Sequence, residues 1–235
     1  MQYTTDVRII RIMCTGRIDP TMVAGAFIEG ADGIMAVGCH FGDCHYISGN
    51  YQAKVKIELA TRALEYVGLN PARVAFNQCS SAEGERFVNV ITGFNRTISE
   101  MGPLGMSDRF PRDELTERLE TARTALDKEK LRWVVGKFTE FQGKGNKYGE
   151  KFTEHEMWRT LDTIVMDELA THDILKEMRK GAVSVKELSA KLDIAPPDAL
   201  KYVLALQRRG LAALASVEGE SPKYRMIDTA AAAAA

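Results

Sequence analysis

The sequence predicts an α/β fold: a parallel sheet wrapped by helices, then a long charged connector helix, then a C-terminal winged helix-turn-helix. Three observations carry that expectation. Over residues 6–101, short β-branched apolar runs alternate with amphipathic stretches, the pattern of strand–helix–strand units. A heavily charged stretch with one apolar stripe follows, ending in a Gly- and Lys-rich run. The last part reads as helix, tight turn, helix and two short strands.

In chain order, "DVRIIRIMC" (6–14) reads as a strand ending at Cys14, and "TMVAGAFIEGA" (21–31) as a helix with Pro20 near its start and Gly30 at its end. "DGIMAVGC" (32–39) is a second strand, ending at Cys39. "NYQAKVKIELATRALEYVGLN" (50–70) is an amphipathic helix with Val55, Leu59, Leu64 and Val67 on one face and Gly68 as its stop. "ARVAFNQC" (72–79) is a third strand, ending at Cys79, and residues 84–103 form a helix closed by Gly102-Pro103. Residues 103–153 are a connector: one long helix over 112–141, with Leu115, Leu119, Ala122 and Leu126 on one face, then "QGKGNKYGEK" (142–151) as a hinge. Residues 154–229 hold a helix (about 155–179) and the winged-helix pattern, whose second helix starts at Pro196-Pro197-Asp198. The run Ala230–Ala235 is low-complexity and carries no function.

Composition narrows the function. The chain has 235 residues, 45% hydrophobic and 27% charged, with a net charge of −1 that exerts no global pull on nucleic acid. No apolar run approaches the length of a membrane span, and no basic leader precedes the first strand, so a cytoplasmic protein is expected. All four cysteines, Cys14, Cys39, Cys44 and Cys79, fall in the first third. In a cytosolic protein, clustered thiols read as metal or redox ligands more often than as disulfides.

The spacing sharpens this. Cys14, Cys39 and Cys79 each end an expected strand, and Cys44 lies on the loop leaving one of them. Open α/β sheets place ligands at that edge, so thiols distant in sequence can converge. Thiolates suit zinc or iron–sulfur clusters. Structural zinc usually draws close Cys or His pairs from compact ribbons, whereas Cys39 and Cys44 are spaced Cys-x4-Cys, as in plant-type [2Fe–2S] loops. Gly38 and Gly42 fit a loop that wraps a cluster and aims N–H groups at sulfur. His40 and His45 read either as hydrogen-bond donors to such a cluster or as loop residues facing solvent or a partner chain. No dinucleotide fingerprint and no P-loop follows any strand. "SSAEGER" (80–86) reads as a helix start.

The segments "MQYTTDVRIIRIMCTGRIDP", "AFIEGADGIMAVGCHFGDCHYISGNYQAK" and "SSAEGERF" resemble the delta-subunit family of methyl-viologen-reducing hydrogenases over roughly residues 1–102. The resemblance implies a flavodoxin-like domain holding one [2Fe–2S] cluster. It also implies an anaerobic complex in which electrons pass between a hydrogenase, formate dehydrogenase or similar enzyme and the flavoprotein subunit of heterodisulfide reductase. Cys14, Cys39 and Cys44 match the family's thiol positions. The family further implies a strand and a Cys-rich loop upstream of Met1, so the fourth ligand is expected either there, the favoured source, or at Cys79. The leading reading is therefore a non-catalytic electron carrier with no catalytic residues of its own. The alternative is an iron–sulfur redox sensor that binds DNA through the winged helix, and a structural zinc adaptor is a third class. Across 183–209, five Lys or Arg oppose three acidic residues, and Asp198 opens the second helix; both weigh against phosphate binding. A docking module between protein chains is the better expectation there, with no nucleic acid and no membrane span among the partners.

Overall fold

A computed structural model describes residues 2–219 and 221–227; the run 230–235 lies outside them. The fold is mixed α/β. Two compact units, Met1–Val165 and Met166–Ala235, divide the chain within one long helix. No helix among the described residues is long and apolar enough to cross a membrane.

The first unit begins with helix α1 (Pro20–Ile28). Asp19 caps it by accepting from the Thr21 N–H at 2.9 Å, and Pro20 supplies a first-turn φ that needs no N–H donor. Strand β1 (Ile34–Gly38), helix α2 (Gly49–Tyr66), strand β2 (Val74–Gln78) and helix α3 (Gly84–Met101) follow. The strands pair in parallel, from Ile34 opposite Val74 to Gly38 opposite Gln78. The core lies among helices: Phe27 of α1, Leu59 and Leu64 of α2, and Leu115, Leu119 and Leu131 beyond them are all buried. Helix α2 buries one face because its apolar residues recur at helical spacing.

Two expectations need correction. Residues 6–14 do not form a strand, so the sheet of this unit has two strands among the described residues. Ile9, Ile10 and Met13 are exposed at 53%, 85% and 82%. β-Branched composition favours a pleated surface only where a neighbouring strand and a packed face exist, and here neither is present. The connector is two helices rather than one: α4 (Arg112–Leu126) and α5 (Glu129–Lys144). Lys128 adopts an extended backbone between them, with ψ 148°. Arg132 holds the break, bonding Asp127 Oδ1 and Asp19 Oδ2, each at 2.8 Å. The apolar stripe shows the same break, passing from Leu126 to Leu131 at a spacing of five residues instead of three or four. After α5, the expected hinge holds a turn in which the Asn146 N–H donates to Glu150 O at 2.9 Å.

Helix α6 (Glu154–Lys180) runs from the first unit into the second. The second unit continues with β3 (Val183–Ser184), α7 (Val185–Leu192), α8 (Pro196–Arg208), β4 (Ala212–Glu218) and β5 (Ser221–Met226). The sheet order is β3-β5-β4, antiparallel throughout. Ser184 and Glu187 form a reciprocal capping box on α7, and Asp193 closes that helix in the left-handed region at φ 54°. Ile174, Leu188, Val203, Leu206 and Tyr224 pack into one closed core.

Candidate functional site

The ends of the two-stranded sheet differ in chemistry. At its amino end the Arg73 side chain, 0% exposed, meets Asp108 at 3.0 Å and donates to the carbonyls of Asp32, Gly102 and Pro103 and to Ser107 Oγ, at 2.8–3.1 Å. Asp108 is equally buried and also accepts from the N–H groups of Asn70 and Gly105, each at 2.7 Å. A buried ion pair holds only when its remaining donors and acceptors are satisfied, and these are.

The thiols gather at the carboxyl end. Cys14 precedes a 3-10 turn (Thr15–Arg17), and its sulfur accepts from the Gly16 N–H at 3.4 Å. Cys39 leaves β1 directly, and Cys44 sits buried on the loop that follows. Cys14 Sγ and Cys44 Sγ are 3.9 Å apart. Burial pushes the Cys39 thiol up, and its hydrogen bond with Cys44 and the nearby charges of Cys44 and Cys14 push it further. At Cys44, burial also acts upward. Donation from the Asn50 and Tyr46 backbone N–H groups, with the Cys39 and Cys14 thiols, outweighs it and leaves Cys44 below its ordinary value. Three thiols thus share one bowl, and backbone N–H groups aim at two of the sulfurs.

Two glycines make the bowl possible. A Cβ on Gly49 would collide with Cys14 Sγ and lie 3.2 Å from Cys44 Sγ. A Cβ on Gly16 would stand 2.9 Å from the Gly49 backbone. The Cys14 turn can lie against the start of α2 only because both positions lack a side chain. Lys56 pins the turn from α2 by donating to Gly16 O at 2.7 Å.

Cys79 does not join this group. Its backbone N–H continues the parallel ladder to Gly38 O at 2.8 Å, while its thiol donates to Ser80 O and Glu83 O, at 3.4 and 3.3 Å. His40 bonds Glu83 across the loops at 2.6 Å. The Ser80 backbone N–H first, and His40 second, hold the Glu83 carboxyl down at about 2. His45 is exposed and lies edge-on to Tyr46. Gly38 backs onto Thr15, where an added Cβ would be 2.9 Å from Oγ1, and Gly42 takes the left-handed turn at φ 92°.

Sequence reasoning missed Asn50. Its side chain is fully buried and donates to Cys39 O at 3.1 Å and His40 O at 2.6 Å, with Cys39 Sγ 3.6 Å away. It clamps the thiol loop to the start of α2. The signal was a polar residue at a position the helical pattern buries. Glu83 was read only as part of a helix start, yet it ties the β2–α3 loop to the thiol loop.

The donor set fits a thiolate-held group in part. Three soft ligands are within reach of one another, and the Thr15 hydroxyl beside Cys14 is buried with no hydrogen-bond partner. Among the described residues, no group of three or more His, Cys, Asp or Glu side chains is placed so that it could hold a metal ion. Cys14, Cys39 and Cys44 lie near one another without forming a ligand set, and the Cys79 thiol is turned to Ser80 O and Glu83 O.

Comparison with known proteins matches the segment that carries all four cysteines. Residues 1–102 match the family model for the delta subunit of methyl-viologen-reducing hydrogenase. The chain is 41% identical to the iron-sulfur subunit of the F420-non-reducing hydrogenase of Archaeoglobus profundus over 101 residues, covering 43% of this chain and 74% of that protein. It is 41% identical to the iron-sulfur subunit of the vhc F420-non-reducing hydrogenase of Methanococcus voltae over 108 residues, covering 46% and 75%. It is also 43% identical over 105 residues to the ferredoxin:CoB-CoM heterodisulfide reductase A polypeptide of Methanosarcina mazei. That match takes in 45% of this chain but only 13% of the much longer reductase polypeptide. Through its first 102 residues, the chain belongs to the family of methyl-viologen-reducing hydrogenase delta subunits.

Proposed function

We propose that this chain is an electron-transfer subunit whose first 102 residues carry a [2Fe–2S] cluster on Cys14, Cys39 and Cys44. The observation that supports the reading most is the bowl itself: three thiols from two separate segments, two glycines that admit them and N–H groups aimed at sulfur. A bound cluster would supply reversible one-electron chemistry. The protein's part is to hold the thiols, dampen thiolate charge with N–H donors and keep the loops from opening. The fourth ligand is either Cys79, after its thiol turns inward, or a cysteine from outside residues 1–235.

The chain relays electrons between an oxidoreductase module (hydrogenase, formate dehydrogenase or similar) and a heterodisulfide reductase A-like flavoprotein, in an anaerobic, cytoplasmic complex. The relatives support both partners: one is the iron-sulfur subunit of a hydrogenase, and the other is a heterodisulfide reductase polypeptide that contains the same segment. A flavodoxin-like parent fold, completed by further strands, fits the parallel pair β1–β2. The second unit is read as a winged helix serving as a docking module. Its α8 starts with Asp198 in the first turn, and Lys201 is engaged with Asp167 at 3.3 Å rather than free for phosphate.

Anaerobic purification with iron and sulfide analysis, a visible spectrum and EPR of the reduced protein tests the proposal. About two irons and two sulfides per chain are expected. Cys39→Ser and Cys44→Ser should lose the cluster or alter its spectrum. Stoichiometric zinc, or full iron with unchanged spectra in both variants, would refute it.

A further inference from the structure

We infer that the face over Cys14 and Cys44 docks a partner protein that presents an apolar socket rimmed by carboxylates, and that Ile47 is the anchor seated in the socket. The inference deepens the electron-relay reading and rests on it, because a cluster under this face would exchange electrons through it.

Ile47 has φ 68°, one of two non-glycine residues with positive φ among the described residues. The other, Asp193, caps a helix, where a short polar side chain takes the left-handed region readily. A β-branched residue does not. The turn at Ile47 is needed, since its N–H closes the Cys44 loop by donating to Cys44 O at 2.8 Å. Gly or Asn would make that turn without strain, so the turn does not explain an isoleucine. Nor does the core, because the side chain is 85% exposed. Strain of this kind concentrates at functional sites, and an exposed apolar side chain on a strained loop can act only outward.

The surroundings indicate what it meets. Its chain neighbour Tyr46 lines, with Ile12 and Met13, a groove of about 850 Å³ whose wall includes Cys14 and Gly49 and beside which Ile47 stands in sequence without lining it. Met13 is 82% exposed. Exposed aromatic, Met and Arg side chains are typical of the centres of protein interfaces. Four cations and one carboxylate line the groove: Arg11, Arg17, Lys56 and Arg132 against Asp19. Lys56 is spent on Gly16 O, and Arg132 on Asp19 and Asp127. Arg11 and Arg17 are exposed and hold no ion pair among the described residues. The uncompensated charge calls for an acidic rim on the partner and disfavours a second copy of this face, which would bring like charges together. The exposed apolar side chains disfavour nucleic acid, whose backbone offers nothing to seat them.

The test uses the native complex, drawn out by a tag at the carboxyl end of the full chain, with its polypeptides identified by mass. Ile47→Asn and Ile47→Gly should leave the melting temperature of the isolated chain unchanged or raised. The same substitutions should weaken its binding to the co-purifying polypeptide about tenfold or more, the scale of a lost interface anchor. Arg11→Glu combined with Arg17→Glu should weaken binding at low salt and flatten its salt dependence, while Arg96→Glu, on exposed α3, should do neither. Unchanged affinity and salt slope in the Ile47 and arginine variants would overturn the inference. So would a fall in melting temperature with both Ile47 substitutions, self-association of the isolated chain that these variants abolish, or duplex DNA binding lost on arginine reversal. Iron content is measured on the same samples. Wild-type chain without a cluster, combined with variant-specific loss of the partner, would remove the relay reading and keep the docking surface.

Discussion

The two ends of the β1–β2 sheet are built to opposite rules. At the amino end, one buried arginine satisfies its fork with a buried carboxylate, three carbonyls and a hydroxyl. At the carboxyl end, three thiols sit beside an unpartnered buried hydroxyl, a strained isoleucine and an exposed apolar segment. The closed end is scaffold, with its polar groups internally paired. At the open end the buried Thr15 hydroxyl has no hydrogen-bond partner among the described residues, and large apolar side chains stand exposed. Both ends grow from the same two short strands, so the difference lies in the loops, which is where α/β folds usually place function.

The largest effect expected from breaking this contrast is at the closed end. Arg73→Met strands Asp108 as a buried charge and should destabilise the first unit by about 3–5 kcal/mol, read as a lowered urea midpoint. A loss under about 1 kcal/mol would mean that the carboxylate finds water and the end is not closed. Asn50→Ala comes next. It removes the donor to His40 O and leaves Cys39 O with Gln78 Nε2 at 3.3 Å; it should cost about 1–3 kcal/mol, with hydrogen exchange rising first over residues 39–50.

Thiol substitutions should separate the ends most clearly. Cys14→Ser and Cys44→Ser should destabilise the metal-free chain by about 1 kcal/mol, the centre of the range for single substitutions, while abolishing iron uptake on reconstitution. Equal losses of stability at the thiols and at Arg73 would erase the contrast. The smallest effect belongs to the His40–Glu83 link. Glu83 is depressed from 4.5 to about 2 in the folded chain, so its contribution is complete above 4.5 and is lost as pH falls toward 2. The Ser80 amide, which donates to this carboxylate at 2.8 Å, should therefore keep its full exchange protection above about pH 4.5 and lose it progressively as pH falls from there to about 2. Glu83→Gln should remove that step.

Much of the contrast could be read from the residues alone, and the exceptions share a cause. Helical spacing located α2, and the strands ending at Cys39 and Cys79 formed where the β-branched runs placed them. The grouping of Cys39 with Cys44 followed from their loop, and Cys14 joined them although its own strand did not form. Residues 6–14 misled because strand composition was read without a partner strand to pair with. Asn50, Gly16 and Gly49 were missed because their roles lie in contacts across segments: a donor under two carbonyls, and two missing side chains where a turn meets a helix. Periodicity reports which face is buried. It does not report what a buried polar group bonds.

The Arg73 node also bears on where this protein can be cut. The family match ends at residue 102, a natural place to trim an expression fragment. Yet Pro103, Ser107 and Asp108, which hold Arg73, lie past that point, and Leu115 and Leu119 of the core lie further on. A fragment ending at 102 would keep every thiol and lose the counter-ion of its most buried cation. The first unit therefore needs residues beyond 102 to close its core.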